Sequence, residues 1–118
     1  MDALKKLSVA RSILLSFFTE KILEISLSKE HFTLKLIFTH NERLFIRYND
    51  YNEYSYQYYF SSQLDDFIRF DNFDDRWPIS TRPHHLHTKN KKVIESVMNG
   101  DPNHDIPLLS QKVLKFLY

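Results

Sequence analysis

Hydrophobic residues recur at two different spacings along this chain. In residues 2–18 they recur every three or four positions, which predicts an amphipathic helix lying on a sheet. The predicted buried stripe of this helix consists of Leu4, Leu7, Ala10, Leu14 and Phe17. From residue 21 onward hydrophobic and polar residues alternate, a pattern typical of half-buried strands. The alternation predicts five strands, at residues 23–27, 32–38, 43–48, 54–58 and 67–72.

The connections between the predicted strands are short and polar, whereas parallel strands would need long crossover segments. The strands are therefore expected to form an antiparallel meander. Residues 71–90 contain Pro78 and Pro83 and have no clear period. They predict a long loop, and loops of this length are usually functional. Residues 93–97 alternate briefly and are consistent with a sixth short strand.

The last segment of the chain predicts a short C-terminal helix. Asp105 is a suitable N-cap residue, and Pro107 is tolerated in a first helical turn. The predicted buried stripe is Ile106, Leu109, Val113 and Phe116 or Leu117. The expected fold class is α+β, an antiparallel meander sheet of five to six strands with both helices packed on it. We expect one domain that spans residues 1–118.

Composition narrows the classes of protein that fit this chain. It has 118 residues, no cysteine and a net charge of +1. The lack of cysteine excludes disulfides, thiolate metal sites and a cysteine nucleophile, and it fits a cytoplasmic protein. No apolar run is long enough to span a bilayer, and the first residues do not resemble a signal peptide. Because the net charge is so small, an anionic partner must be held by a local patch.

The densest chemical signal lies in the fifth predicted strand and in the loop that follows it. In a strand, Arg69 and Asp71 point to one face while Phe70 points to the other, so Phe70 is expected in the core. The loop contains three closely spaced histidines, His84, His85 and His87. The end of this strand and the loop therefore combine a cation, a carboxylate and several imidazoles.

Positive charge is concentrated in the same part of the chain. No acidic residue lies between Asp75 and Glu95, and this stretch contains five cations besides the histidines. These cations are Arg76, Arg82, Lys89, Lys91 and Lys92. Lysine and arginine bind phosphate, and histidine exchanges protons near neutral pH. The segment therefore favours a phosphodiester substrate such as RNA.

Cleavage of RNA without a metal ion requires a base, an acid and a cation near the phosphate. His85 and His87 can provide the base and the acid, and the planar fork of Arg69 suits the phosphorane charge. Asp71 is expected to orient a histidine or to hold Arg69 in place. Tyr56, on the neighbouring strand, is a candidate platform on which a base stacks.

The same residues allow less specific interpretations. In one of them Arg69 and Asp71 only form an ion pair at a strand end. In another the histidines belong to a structural loop network, or Asp71, His85 and His87 bind a divalent metal with an open fourth position. The tyrosine-rich strand is more typical of core packing than of a base platform.

Three motifs occur in a distinctive order: Tyr-Ser-Tyr-Gln-Tyr at residues 54–58, Phe-Ile-Arg-Phe-Asp-Asn at 67–72, and Pro-His-His-Leu-His at 83–87. Together they resemble the TumE family over residues 21–116. The resemblance implies a type II toxin neutralised by a protein antitoxin, usually one with a DNA-binding helix-turn-helix, and RNA as the expected target. The motif positions that it marks are Arg69, Asp71, Asn72, His84, His85 and His87.

The leading hypothesis is therefore a ribonuclease toxin that needs no cofactor. The alternatives are a non-catalytic toxin that blocks a partner, and a nuclease or hydrolase that depends on a divalent metal. The expected partners are the antitoxin and RNA. No membrane is expected, and the sequence is compatible with a homo-oligomer.

Overall fold

The computed structural model describes residues 1–117, in which seven strands lie between two helices. The elements are α1 (Ala3–Phe18), β1 (Ile22–Ser28), β2 (Thr33–Phe38), β3 (Arg43–Tyr48), β4 (Tyr54–Tyr59), β5 (Phe67–Asp71), β6 (His85–His87), β7 (Val93–Glu95) and α2 (Pro102–Phe116). Each strand pairs antiparallel with the next, so one sheet runs in sequence order from β1 to β7. The predicted α+β meander is confirmed, with one strand more than expected. Within residues 1–117 no helix is long and apolar enough to cross a membrane.

Both helices lie on one face of the sheet and contact each other. Helix α1 begins after Asp2, whose side chain accepts a hydrogen bond from the Lys5 backbone N–H at 2.8 Å. Its buried residues are Ala3, Leu7, Ala10, Leu14 and Phe18. The prediction that Leu4 is buried was wrong, because Ala3 takes the buried position in the first turn and Leu4 is 39% exposed.

Strand β1 departs from the simple alternation that was expected. Ile22 pairs with Phe38, but the register shifts between Ile22 and Glu24, as in a β-bulge. The bulge leaves Leu23 exposed, while Ile22 and Ile25 pack against the core. The predicted strand at residues 23–27 placed Leu23 on the same buried face as Ile25. This was wrong for Leu23, because alternation assumes an unbroken register.

Helix α2 is longer than expected and begins earlier. Its N-cap is Asp101, whose side chain accepts from the Asn103 backbone N–H at 3.0 Å, and Pro102 follows at the first helical position. The prediction that Asp105 caps the helix was therefore wrong. Asp105 is fully buried one turn further on. The apolar stripe of Ile106, Leu109 and Val113 is buried as predicted.

The tyrosines at alternate positions of β4 point into the core. Tyr54, Tyr56 and Tyr58 share the helix-covered face with Ile68 and Phe70, which lie opposite them on β5. Tyr56 is fully buried, and burial raises its pKa far above the ordinary value. The prediction that Tyr56 stacks on a base was therefore wrong, since no base can reach its ring. Core packing was the correct interpretation of this strand.

The predicted loop of residues 71–90 contains a short strand. β6 pairs with β5, placing His85 opposite Asp71 and His87 opposite Arg69. Beyond it β7 pairs with β6 and ends two residues earlier than expected. A strand of three residues is too short to produce a recognisable alternation, so this part of the prediction was wrong. The pairing brings the histidine motif beside the strand end that carries Arg69 and Asp71.

Candidate functional site

The face of the sheet that the helices leave uncovered carries a polar cleft of about 390 Å³. Residues that pair across neighbouring strands form two rows along this cleft. One row runs across the sheet from Arg47 through Ser55 and Asp71 to His85, and the other from Gln57 through Arg69 to His87. The loop between β5 and β6 contributes one wall, formed by Phe73, Asp74, Arg76 and Trp77.

Asp71 is the centre of this site and is almost completely buried. Its Oδ2 accepts a hydrogen bond from Arg69 Nε at 2.7 Å. Its Oδ1 lies 2.6 Å from His85 Nε2 and accepts from the Phe73 backbone N–H at 3.2 Å. Of the two roles expected for Asp71, the hydrogen bond that holds Arg69 is present, and the contact with His85 is close without being a hydrogen bond.

Arg69 connects the carboxylate to the second histidine. Besides its bond to Asp71, its Nη2 donates to His87 Nε2 at 3.3 Å. No group within residues 1–117 accepts a hydrogen bond from Arg69 Nη1, and the side chain is 34% exposed. The guanidinium is thus fixed on one side and presents donors to the cleft on the other, which suits an anionic oxygen.

His87 reaches the cleft as a neutral imidazole. Its side chain is 19% exposed. Burial, followed by the positive charge of Arg69, lowers its pKa below the usual value, and the nearby carboxylate of Asp71 opposes this only in part. Because Nε2 accepts from Arg69, its lone pair faces the same space as the Arg69 guanidinium. A histidine that is neutral near pH 7 is suited to accept a proton.

His85 has a different environment from His87. Its side chain is only 2% exposed, and its Nδ1 donates to the Pro83 carbonyl at 2.8 Å. Nε2 lies 2.6 Å from Asp71 Oδ1 but is not aligned for a hydrogen bond, and it has no hydrogen-bond partner within residues 1–117. Trp77 covers both histidines, with its ring centre 4.3 Å from that of His85 and 5.3 Å from that of His87.

Two motif residues lie outside the cleft. His84 forms a hydrogen bond with the Tyr54 hydroxyl at 2.9 Å and stacks on that ring, on the helix-covered face. Asn72 accepts from the Tyr54 backbone N–H and donates to the Asn52 carbonyl, so it ties β5 to the β3–β4 turn. Phe70 lies in the core as predicted. These residues build the strand ends that carry the site.

Most of the predicted basic patch lies at the rim of the sheet. Arg82 pairs with Asp75 at 3.2 Å, and Lys89 with Asp66 at 3.5 Å. The Lys91 ammonium donates to the Asp65 carbonyl, and Lys92 is exposed in the turn between β6 and β7. The sequence did not reveal these contacts, because the Asp66 carboxylate that pairs with Lys89 and the Asp65 carbonyl that accepts from Lys91 come from the loop before β5.

Several residues of the cleft were missed by sequence analysis. Arg47, Ser55 and Gln57 line it together with the predicted residues. Their signal was the alternation of β3 and β4, which places them on the same face as Arg69 and Asp71 once the register is known. Trp77 had no such signal, because it belongs to an irregular loop.

Three side chains have the composition of a metal site. One ligand atom each from Asp71, His85 and His87 lies within 4.8 Å of the others. The hydrogen bond from His85 Nδ1 to a carbonyl leaves Nε2 for a ligand, as in many metal-binding histidines. Arg69 opposes this arrangement, because its guanidinium bonds both Asp71 Oδ2 and His87 Nε2 and brings positive charge to the same place.

The fold and cleft define a small α+β protein whose uncovered sheet face carries a polar site of a cation, a carboxylate and two histidines. A family model described as Toxin TumE matches residues 6–117, so the chain belongs to the TumE toxin family. Membership in a toxin family implies an antitoxin partner. No curated protein and no solved structure matches this chain significantly.

Proposed function

We propose that this toxin cleaves RNA in the cleft and needs no metal ion to do so. The observation that carries the proposal is the position of the Arg69 guanidinium between Asp71 and His87. It supplies a fixed cation for the phosphate, next to an imidazole that is neutral at physiological pH. Attack by a 2′-hydroxyl on the neighbouring phosphorus requires a base for the hydroxyl proton and a cation that stabilises the phosphorane.

In the proposed reaction the bound phosphate draws Arg69 Nη2 away from His87 Nε2 and so frees the lone pair of that nitrogen. His87 Nε2 then takes the proton of the 2′-hydroxyl, and the 2′-oxygen forms a bond to phosphorus. Arg69 Nη1 donates to a non-bridging oxygen while negative charge accumulates on the phosphorane. The bond from phosphorus to the 5′-oxygen then breaks, and the leaving oxygen takes a proton from water in the open cleft. The products are a 2′,3′-cyclic phosphate and a 5′-hydroxyl, and the proton on His87 neutralises the hydroxide ion that the water leaves behind.

The role of His85 differs from the acid–base role first considered. Because its side chain is 2% exposed, it has no access to a leaving group. We assign it as a positioning residue that packs against Asp71 and beneath Trp77. Asp71 in turn holds Arg69 at the angle from which Nη1 faces the cleft. His84, on the other face of the sheet, has no part in the reaction.

The proposal extends to the partners of the protein. The toxin acts on RNA in the cytoplasm, and its antitoxin is a protein with a DNA-binding helix-turn-helix, as the family motifs suggest. Such an antitoxin neutralises the toxin while it is bound.

A metal-dependent nuclease is the second candidate, and one observation favours it. His85 Nε2 is buried, has no hydrogen-bond partner within residues 1–117, and lies 2.6 Å from Oδ1 of the Asp71 carboxylate. A divalent ion would satisfy that atom. The ion would also displace Arg69 from Asp71, and it would have to be bound next to a permanent positive charge. Because the ion and the guanidinium would repel each other, we favour the metal-free reaction.

The experiment that tests the proposal combines growth and cleavage. The wild type, His87→Ala and His84→Ala are expressed with inducible control, and the purified proteins are incubated with RNA with and without EDTA. We expect growth arrest and EDTA-resistant cleavage for the wild type and for His84→Ala, and neither for His87→Ala. Cleavage that EDTA abolishes and zinc or manganese restores would select the metal-dependent reaction. Growth arrest by His87→Ala without cleavage would identify a non-catalytic toxin.

A further inference from the structure

Three aromatic rings form a row on the same uncovered face, next to the cleft. Phe45 on β3, Tyr59 on β4 and Phe67 on β5 are each half-buried. The ring centres of Phe45 and Tyr59 are 5.8 Å apart, and those of Tyr59 and Phe67 are 5.7 Å apart. We call these three residues the aromatic row. They differ from the core tyrosines of β4, because their side chains point away from the helices.

Cations lie over every ring of the aromatic row. Lys35 Nζ is 5.9 Å from the centre of Phe45, and the Arg43 guanidinium is 4.4 Å from that of Tyr59. Phe67 is contacted by the Lys91 ammonium at 4.5 Å and by Arg69 at 5.8 Å. Within residues 1–117 none of Lys35, Arg43 and Arg47 forms an ion pair with a carboxylate.

We propose that the aromatic row is the binding surface for the bases of single-stranded RNA, and that it leads the strand into the cleft. This inference rests on the proposed function and names the form of its substrate. Bases of any identity stack on exposed aromatic side chains, and neighbouring cations hold the phosphates. The row and its cations provide both kinds of contact on one face of the sheet.

The row is continuous with the proposed catalytic residues. Gln57 donates from Nε2 to the Tyr59 hydroxyl at 3.0 Å, and it lies opposite both Phe45 and Arg69 in the strand registers. Arg47 lines the cleft and also a second depression of about 220 Å³ that includes Lys35 and Phe45. A strand bound along the row therefore reaches Arg69 without leaving the sheet.

Charge favours RNA over an apolar partner on this surface. An apolar partner would bury Lys35, Arg43 and Arg47 without a carboxylate to pair with them, which is costly. An RNA backbone supplies phosphates to these side chains. Cation–π contacts at exposed sites are weaker than base–aromatic stacking, so a base can replace Lys35 or Lys91 over a ring. The displaced ammonium groups then reach the phosphates on flexible stems.

The test uses a fluorescent oligonucleotide in which every 2′-hydroxyl is methylated, so that it binds but is not cleaved. Phe45→Leu, Tyr59→Leu and Phe67→Leu keep an apolar side chain and remove the ring. We expect each to weaken binding roughly 5- to 100-fold in fluorescence anisotropy titrations. Tyr59→Phe keeps the ring and should bind within about threefold of the wild type. Tyr51→Leu is the matched control, because Tyr51 is 84% exposed at the β3–β4 turn, away from the row.

Thermal unfolding identifies any leucine variant that has lost its fold. A double variant, Lys35→Gln with Arg47→Gln, tests the same surface through its cations in the same binding titration. We expect that double variant to lose at least fivefold in affinity. Leucine variants that are folded and bind like the wild type would overturn the proposal, as would a wild type that binds no oligonucleotide. Dimerisation that the leucine variants abolish, without any effect on oligonucleotide binding, would also overturn it and assign the row to self-association.

A dinucleotide with one phosphodiester bond separates this inference from the proposed function, because its single phosphate binds at Arg69 and it is too short to extend along the whole row. If RNA cleavage occurs in the cleft, the wild type and Tyr51→Leu cleave the dinucleotide and His87→Ala does not. Oligonucleotide binding that depends on the row, without any cleavage, would support the row and refute the ribonuclease. Cleavage by the wild type, together with unchanged oligonucleotide binding by the leucine variants, would support the ribonuclease and refute the row as a binding surface.

Discussion

The hydroxyl of Tyr56 donates a 2.6 Å hydrogen bond to Oδ2 of Asp105 and so joins the middle of the sheet to helix α2. Both residues are fully buried. The same carboxylate accepts from the backbone N–H groups of Asn99 and Gly100, and Tyr48 contacts the Tyr56 hydroxyl at 3.0 Å. Tyr56 therefore fixes the helix on the sheet, and its hydroxyl contributes to the stability of the fold rather than to substrate binding.

Tyr56→Phe should destabilise the protein by about 1–3 kcal/mol, because it leaves a buried carboxylate with one hydrogen bond fewer. Urea unfolding followed by circular dichroism measures the change, and Tyr51→Phe, at an exposed turn position, should alter the stability by less than about 0.5 kcal/mol. RNA binding and cleavage by Tyr56→Phe should match the wild type below the unfolding transition. A selective loss of RNA affinity in a fully folded variant would contradict the structural role.

Local patterns predicted the fold well where a segment was long and regular. The alternation of β2 to β5 identified four strands, and their short loops gave the antiparallel order. The errors came from features without a local signal. The bulge near Leu23 inverts the burial expected there, and β6 is stabilised by its pairing with β5 rather than by its own three residues. Burial of Asp105 depends on partners on other elements, which a single segment does not reveal.

His87→Ala should lower the rate of RNA cleavage by about 10²- to 10⁴-fold, the contribution of a general base. His84→Ala is the matched control, since it removes an equal side chain three positions earlier. That residue contacts Tyr54 on the covered face, so the control should lower stability slightly and leave the rate unchanged. Initial rates on one labelled RNA measure both effects. Equal losses in the two variants would show that the histidine motif acts through folding alone.

The cleavage rate should rise with pH through the pKa of His87, because the base works in its neutral form. Burial and Arg69 lower that pKa, so the wild type should remain active below pH 6.5, where an ordinary histidine is protonated. Arg69→Gln removes one cause, so the acid limb of its profile should move to higher pH. Its maximal rate should also fall by about 10²- to 10³-fold, because the phosphorane loses its cation. Profiles of kcat from pH 4.5 to 9 measure both changes. An acid limb that moves to lower pH would contradict the assignment.

Salt dependence distinguishes the cations of the cleft from those of the rim. Arg47 is exposed, lines the cleft and has no carboxylate partner within residues 1–117, whereas Lys92 lies in the β6–β7 turn. Arg47→Gln should weaken binding of the methylated oligonucleotide and reduce the slope of log affinity against log salt by about 0.7. Lys92→Gln should change the slope by much less. A larger change of slope for Lys92→Gln than for Arg47→Gln would indicate that RNA binds along the basic segment that the sequence suggested.

The composition of the site was more predictable from sequence than its internal roles. Alternation on β5 placed Arg69 and Asp71 on one face, and the register with β6 then added His85 and His87. The sequence did not distinguish the two histidines, because their difference is set by Trp77 and by the Pro83 carbonyl, which come from an irregular loop. For the same reason Lys89 looked free until the loop before β5 supplied Asp66.

Asp71→Asn should shift the cleavage profile in the direction opposite to Arg69→Gln. The carboxylate favours the protonated form of His87, so its removal lowers the His87 pKa further and moves the acid limb to lower pH. The maximal rate should still fall by about tenfold or more, because Arg69 loses the acceptor that fixes its Nε. Asp74→Asn makes the same change of charge in the same cleft, but Asp74 pairs with Arg76 and is well exposed, so its profile should match the wild type. Opposite shifts in the two variants at Arg69 and Asp71 are expected only if His87 titrates between these charges. Parallel shifts would assign the acid limb to another group.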